Sequence, residues 1–210
     1  MGIEPVLLMH IFLHRKAEKQ KTKDMRKMER CRGFTIIELF VVLSVMVIIS
    51  SIILVKHGEF QANLLLRSIA YEVALTIRQA QVYGLGIKEY QGISDPILAF
   101  QIGYGVHFET ATPDTFFLFA DLDNDRIYVA ANDAIVESLR LLGGNTIVDL
   151  CAGADVNVGC GRSSLDIVYE RPDPEAHISG ANGTATIRIR SVYAKERVVS
   201  ATITGQILVQ

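Results

Sequence analysis

Tryptophan is absent from this 210-residue chain, cysteine occurs three times and proline five times. No GxxxxGK phosphate cradle occurs. The short Gly103–Tyr104–Gly105 run lacks the third glycine and the strand-to-helix setting of a dinucleotide loop, so nucleotide binding has no sequence support. Cys151 and Cys160 have no second pair of Cys or His residues at zinc-site spacing, and they stand farther apart than a redox C-x-x-C. Of the five histidines, His10 and His14 lie near the start, His57 follows the apolar run, His107 sits in a strand pattern and His177 follows a Pro-rich turn. No Ser or Cys elbow accompanies them, so the chain reads as a non-enzyme and His107 as a sheet residue.

Apolar sequence, by contrast, is plentiful. Half of the residues are hydrophobic, the mean hydropathy is +0.28, and Phe34 to Val55 form an apolar run of 22 residues. As a helix that run spans roughly 33 Å, close to the hydrocarbon thickness of a bilayer. Glu38 stands at its fifth position, where a carboxylate costs about 2.5 to 3.5 kcal/mol on insertion scales and therefore calls for a reason. Residues 15–32 carry nine basic against three acidic side chains, a net +6 just before the run, which predicts a cytoplasmic N-terminus and an exported C-terminal part. Beyond Gly33 the chain has 12 basic against 19 acidic residues, net −7, a poor balance for general polyanion binding. Small residues do not gather at the far end of the run, as an ordinary signal-peptide cleavage site requires. Val6 to Leu13 are too few to span, and Met25 and Met28 stand as alternative starts, each leaving a short basic leader.

Past the run, Ala62, Leu66, Ile69, Val73, Ile77 and Ala80 follow one another at spacings of three and four, one stripe of an amphipathic helix. The helix is expected to continue from the apolar half, to stop at Gly84 and Gly86, and to lay its stripe on a sheet; a coiled-coil dimer is the alternative for so short a repeat. From about residue 97 the period shortens. Strands are expected at 98–102, 105–109, 115–120, 126–130, 135–141, 146–150, 165–170, 185–190 and 197–209, each closed by Gly, Pro, Asn or Asp, the last two forming a hairpin. The fold class is α+β, with a mainly antiparallel β head from 87–210 packed on the helix.

"DLDNDRIYVAAND" is the most chemical-looking stretch. Asp121, Asp123 and Asp125 occupy the alternating positions with which calcium loops begin, and the Ile127 carbonyl stands seventh. Arg126 replaces the usual Gly and Asn132 the usual Glu, with Asp133 or Glu137 as substitutes; an Asp/Asn-rich turn between two strands is the other reading.

"RG" followed by "FTIIELFVVLSVMVIISSIIL", behind a basic leader, resembles the junction of type IV prepilins and type II secretion pseudopilins, with Gly33, Phe34, Thr35 and Glu38 in register. The resemblance implies removal of 1–33 by a membrane prepilin peptidase and methylation of the new Phe34 amine. It divides the rest into an assembly half, 34–55, an amphipathic half, 56–86, and a pilin-like head. It implies an inner-membrane subunit whose partners are other pilins or pseudopilins and an inner-membrane platform protein with its assembly ATPase. "IRQAQVYGLG", "GYGVHFE" and a terminal hairpin ending "TGQI" are similar to H-type minor pseudopilins and FimT-type minor pilins. With Cys31 lost in the leader, Cys151 and Cys160 can bridge a Gly-rich loop outside the cytoplasm. In the related major pseudopilins calcium in β-region loops matters. FimT-type relatives include minor pilins implicated in DNA uptake through basic C-terminal residues, which places Arg188, Arg190, Lys195 and Arg197 as candidate DNA contacts. The plainer readings are a solvated strand face for these cations and an unprocessed single-pass anchor for the helix.

Overall fold

A computed structural model describes residues 33–86, 90 and 102–210. The leader before Gly33 and most of the strand expected at 98–102 lie outside the described residues. The chain divides into an N-terminal unit ending at Ile52 and a C-terminal unit from Ile53 to Gln210.

The N-terminal unit contributes the start of helix α1 (Ile36–Leu85). Thr35 caps it: its hydroxyl accepts the Glu38 N–H at 3.2 Å, and its carbonyl accepts the Leu39 N–H at 3.1 Å. The T-x-x-E spacing is that of a capping box, so Glu38 sits in the first turn, where the helix dipole favours a carboxylate. Every large apolar side chain from Ile36 to Leu54 is exposed. Among the described residues this is the one helix long and apolar enough to cross a membrane. Two of its serines hide their polarity in the backbone, Ser44 donating to the Val41 carbonyl and Ser51 to that of Val47, both at 2.8 Å.

In the C-terminal unit the stripe turns inward. Leu66, Ile69, Val73, Ile77 and Ala80 are buried, joined by Ala70, while Ala62 is half-buried. They share one apolar core with two antiparallel sheets. The first has the strand order β3-β2-β1-β5-β6, built from β1 (Gly103–Glu109), β2 (Thr115–Asp121), β3 (Ala134–Arg140), β5 (Ser164–Tyr169) and β6 (His177–Ile178). The second runs β4-β7-β8-β9, from β4 (Thr146–Gly153), β7 (Thr184–Arg190), β8 (Glu196–Thr202) and β9 (Ile207–Val209). Alternation fixes what each presents. Val106 stands between Leu118 and Ile167, and Phe108 between Phe116 and Leu165, all facing the core; in the second sheet Leu150, Ile187, Val199 and Val209 form one such row.

The architecture is the expected helix on antiparallel β structure, with the strands shared between two sheets. Three local expectations are corrected. Residues 126–130 are not a strand: the Asp133 carboxylate takes the Leu122 and Val129 N–H groups at 3.0 and 2.7 Å, so that backbone bonds to a side chain instead of a ladder. The run 197–209 is two strands, because Gly205 turns the chain at φ 78°. Gly84 lies inside α1 and does not end it. A Cβ there would stand 2.1 Å from the Tyr169 carbonyl oxygen, so this glycine permits a close helix-to-strand approach. The last turn is closed by the Gly86 N–H on the Val82 carbonyl at 2.8 Å.

Candidate functional site

The loop from Leu122 to Asp133 joins β2 to β3 and gathers acidic side chains at the end of β2. Carboxylate oxygens of Asp121, Asp123 and Asp133 lie within 4.8 Å of one another. Asp125, the third expected ligand, does not join them; its Oδ1 accepts the Ile127 N–H at 2.9 Å, a local turn contact. Glu137, the other substitute considered, accepts from Gln79 Nε2 at 3.3 Å. Asp133 therefore completes the cluster.

Asp121 is fully buried at the end of β2. Its Oδ2 accepts the Arg126 N–H at 2.9 Å, and its Oδ1 is buried with no hydrogen-bond partner among the described residues. Burial pushes its carboxyl up to about 6; the backbone N–H groups of Arg126 and Asn124 oppose the rise, and the charges of Asp133 and Asp125 add to it. Burial also raises Asp133, against the N–H groups of Val129 and Leu122. Asn124 and Arg126 take left-handed backbone conformations at φ 58° and 66°. Arg126 thus adopts at the sixth position the conformation for which calcium loops select Gly. An orphaned buried carboxylate oxygen beside two further carboxylates is a donor set that fits a hard divalent cation such as calcium, and Asp121, Asp123 and Asp133 are the residues that would hold it.

On the outer face of the first sheet the same loop covers a polar pair. His107 on β1 and Asp166 on β5 are both buried, with Nδ1 and Oδ1 2.6 Å apart. Tyr128 covers them, its ring 5.0 Å from that of His107 and 4.6 Å from that of Phe117, and its N–H reaches Asp166 Oδ1 at 3.4 Å. His107 is the sheet residue expected. Its partner is not among the residues the sequence singles out, although a carboxylate inside the apolar run "LDIVYE" is the available signal; likewise the T-x-x-E spacing marks the helix cap.

The four candidate cations of the terminal hairpin stand on β7, β8 and the turn between them. Arg188 donates to Asn157 Oδ1 at 3.0 Å and lies 3.5 Å from Glu196 and 4.0 Å from Asp149. Arg190 pairs with Glu196 at 2.6 Å, which holds the Glu196 carboxyl below its ordinary range. Lys195 Nζ lies 4.0 Å from Glu59 Oε1, and Arg197 is exposed. Three of the four are thus matched by carboxylates of this chain. Arg188 and Arg190 alternate with buried Ile187 and Ile189, as a half-buried strand requires.

Cys151 and Cys160 are joined by a disulfide. It closes a loop pinned also by Ala152 N–H on the Gly159 carbonyl at 3.1 Å and Gly161 N–H on Asp149 Oδ1 at 2.9 Å. The loop presents Asn157 to Arg188. In the N-terminal unit Gly33 and Phe34 are exposed ahead of the Thr35 cap, with Phe34 80% exposed. Comparison of the chain with protein-family models, with characterised proteins and with solved structures finds no match.

Proposed function

We propose that this chain is a non-enzymatic prepilin-like subunit, a minor pseudopilin or minor pilin that assembles through its N-terminal helix into a filament of a type II secretion or type IV pilus machine. The observation that carries this reading is the uncovered apolar helix that begins just after Gly33–Phe34, capped by Thr35 with Glu38 in its first turn. In this reading the helix waits in the inner membrane with the leader on the cytoplasmic side. A prepilin peptidase cuts after Gly33, and the new Phe34 amine lies one turn from Glu38. Two buried charges are costly singly and offset each other when the carboxylate of one subunit meets the amine of its neighbour, so charge helps set the register of packing. The platform protein and its ATPase then draw the subunit into the filament among other pilins.

Mass spectrometry of protein co-expressed with a matched prepilin peptidase tests the reading. A mature N-terminus at Phe34 carrying one methyl is the expected result. A chain that keeps its leader beside an active peptidase is an ordinary single-pass anchor. The DNA-uptake alternative draws less support, because Arg188, Arg190 and Lys195 already face Glu196, Asp149 and Glu59. A calcium ion at Asp121, Asp123 and Asp133 fits the same structural role: it would neutralise the buried carboxylate and fasten the β2–β3 loop.

A further inference from the structure

We infer that the tip of the β7–β8 hairpin, residues 191–195, rests in the headgroup layer of the membrane that α1 enters, with Val192 and Tyr193 as lipid-facing anchors. The inference rests on reading the apolar half of α1 as a membrane span. Its occupant is the phospholipid headgroup layer itself.

The tip is an ordered turn. Ser191 N–H donates to the Lys195 carbonyl at 2.8 Å, Ala194 N–H to the Ser191 carbonyl at 2.9 Å, and Lys195 N–H to Ser191 Oγ at 3.3 Å. These bonds leave Val192 and Tyr193 projecting, 64% and 51% exposed. Polar turn formers such as Asn, Asp and Gly are what water favours at such a position, and this turn offers a branched aliphatic and an aromatic instead.

The position of the tip along α1 supplies the occupant. A Cβ on Gly58 would lie 2.9 Å from the Tyr193 hydroxyl oxygen, and Lys195 Nζ is 4.0 Å from Glu59 Oε1. Gly58 is three residues past Val55, where the apolar run ends. Three residues of helix rise about 4.5 Å, while the headgroup zone on each side of the hydrocarbon is roughly 5 to 7 Å deep. Tyr193 therefore stands at the depth where amphipathic aromatic rings concentrate in membrane proteins. Leu142, 63% exposed, extends the surface: a Cβ on Gly144, two residues along the same loop, would lie 2.7 Å from Val192 Cγ1. Lys195, the one charged residue of the tip, has Glu59 Oε1 4.0 Å from its ammonium, so its charge is offset and the contact rests on Val192, Tyr193 and Leu142.

Because the chain has no tryptophan, a single introduced one reports its own surroundings. Three full-length variants are reconstituted separately into vesicles of phosphatidylcholine and phosphatidylglycerol carrying bromine on the lipid chains, shallow or deep. Tyr193→Trp is expected to emit blue-shifted and to lose emission to the shallow bromines. Val47→Trp, within the apolar run, is expected to lose emission to the deep ones. Leu75→Trp, exposed on α1 about 30 Å of helix beyond Val55, is expected to lose none. If the indole of Tyr193→Trp is unquenched while that of Val47→Trp is quenched, the inference is overturned and the span stands. If the indole of Val47→Trp is unquenched, the span and the inference fall together. Emission from Tyr193→Trp that is blue-shifted yet unquenched, in proportion to protein density in the vesicle, overturns the inference in favour of a second copy of the chain.

Discussion

His107 and Asp166 face each other on neighbouring strands, Nδ1 to Oδ1 at 2.6 Å, in a buried position roofed by Tyr128. Neither has water to fall back on. Asp166→Leu is expected to leave the imidazole unsatisfied and to destabilise the head by about 1 to 3 kcal/mol. Asp166→Asn, which keeps an acceptor, should cost less. Urea denaturation of the two variants checks the order.

Asp121 gives a pH dependence with a definite sign. Its carboxyl rises from 3.8 to about 6 on folding, so the folded chain holds this proton more tightly than the unfolded one. The group's contribution to stability is therefore present below pH 3.8 and lost as pH rises through about 6. Asp121→Asn is expected to raise the melting temperature near neutral pH and to leave it little changed at about pH 4.

Calcium should act on the same charge. Millimolar calcium is expected to raise the melting temperature of the wild-type chain near neutral pH, with heat released in calorimetric titration, and to do neither in Asp121→Asn. Silence from the wild type in both measurements removes the cation and leaves an Asp-rich turn.

Gly84→Ala sets two effects against each other. Alanine in a helix interior gains about 1 kcal/mol over glycine. Against this, the new methyl would stand 2.1 Å from the Tyr169 carbonyl oxygen, a contact that requires α1 and β5 to separate. Overpacking of this kind costs about 1 to 3 kcal/mol, so a net loss is expected in thermal denaturation.

Reduction of Cys151–Cys160, or Cys160→Ser, is expected to lower stability by about 2.5 to 3 kcal/mol, the chain-entropy value for a loop of this length. Non-reducing peptide mapping of exported protein should find the pair joined.

Repetition is what makes the fold readable. The three-and-four spacing from Leu66 to Ala80 and the alternation in "ATIRIR" each repeat one physical demand several times, and both faces bury as the pattern requires. "RIYVA" misleads for the opposite reason. Its Tyr128 and Val129 satisfy a strand pattern locally, while the choice between ladder and loop is made by Asp133, whose carboxylate captures two backbone N–H groups. Asp133 also takes the place of Asp125 in the acidic cluster. Linear spacing names candidate oxygens, but the direction in which each carboxylate turns depends on which amide it finds. Gly84 resembles a terminator because composition cannot register the neighbouring strand that makes a side chain there impossible.

The first sheet is covered in two unlike ways, by the α1 stripe on its core face and by the Tyr128 loop on the other. One cover is held by close-packed hydrocarbon; the other adds to the Tyr128 ring contacts the Leu122 and Val129 amides bound to the half-buried carboxylate of Asp133. Local opening draws on the weaker of such holds. Amide hydrogens of Leu122 and Val129 should therefore exchange on a faster clock than those of the strands beneath them, and the head has one permanent side and one that can be unfastened.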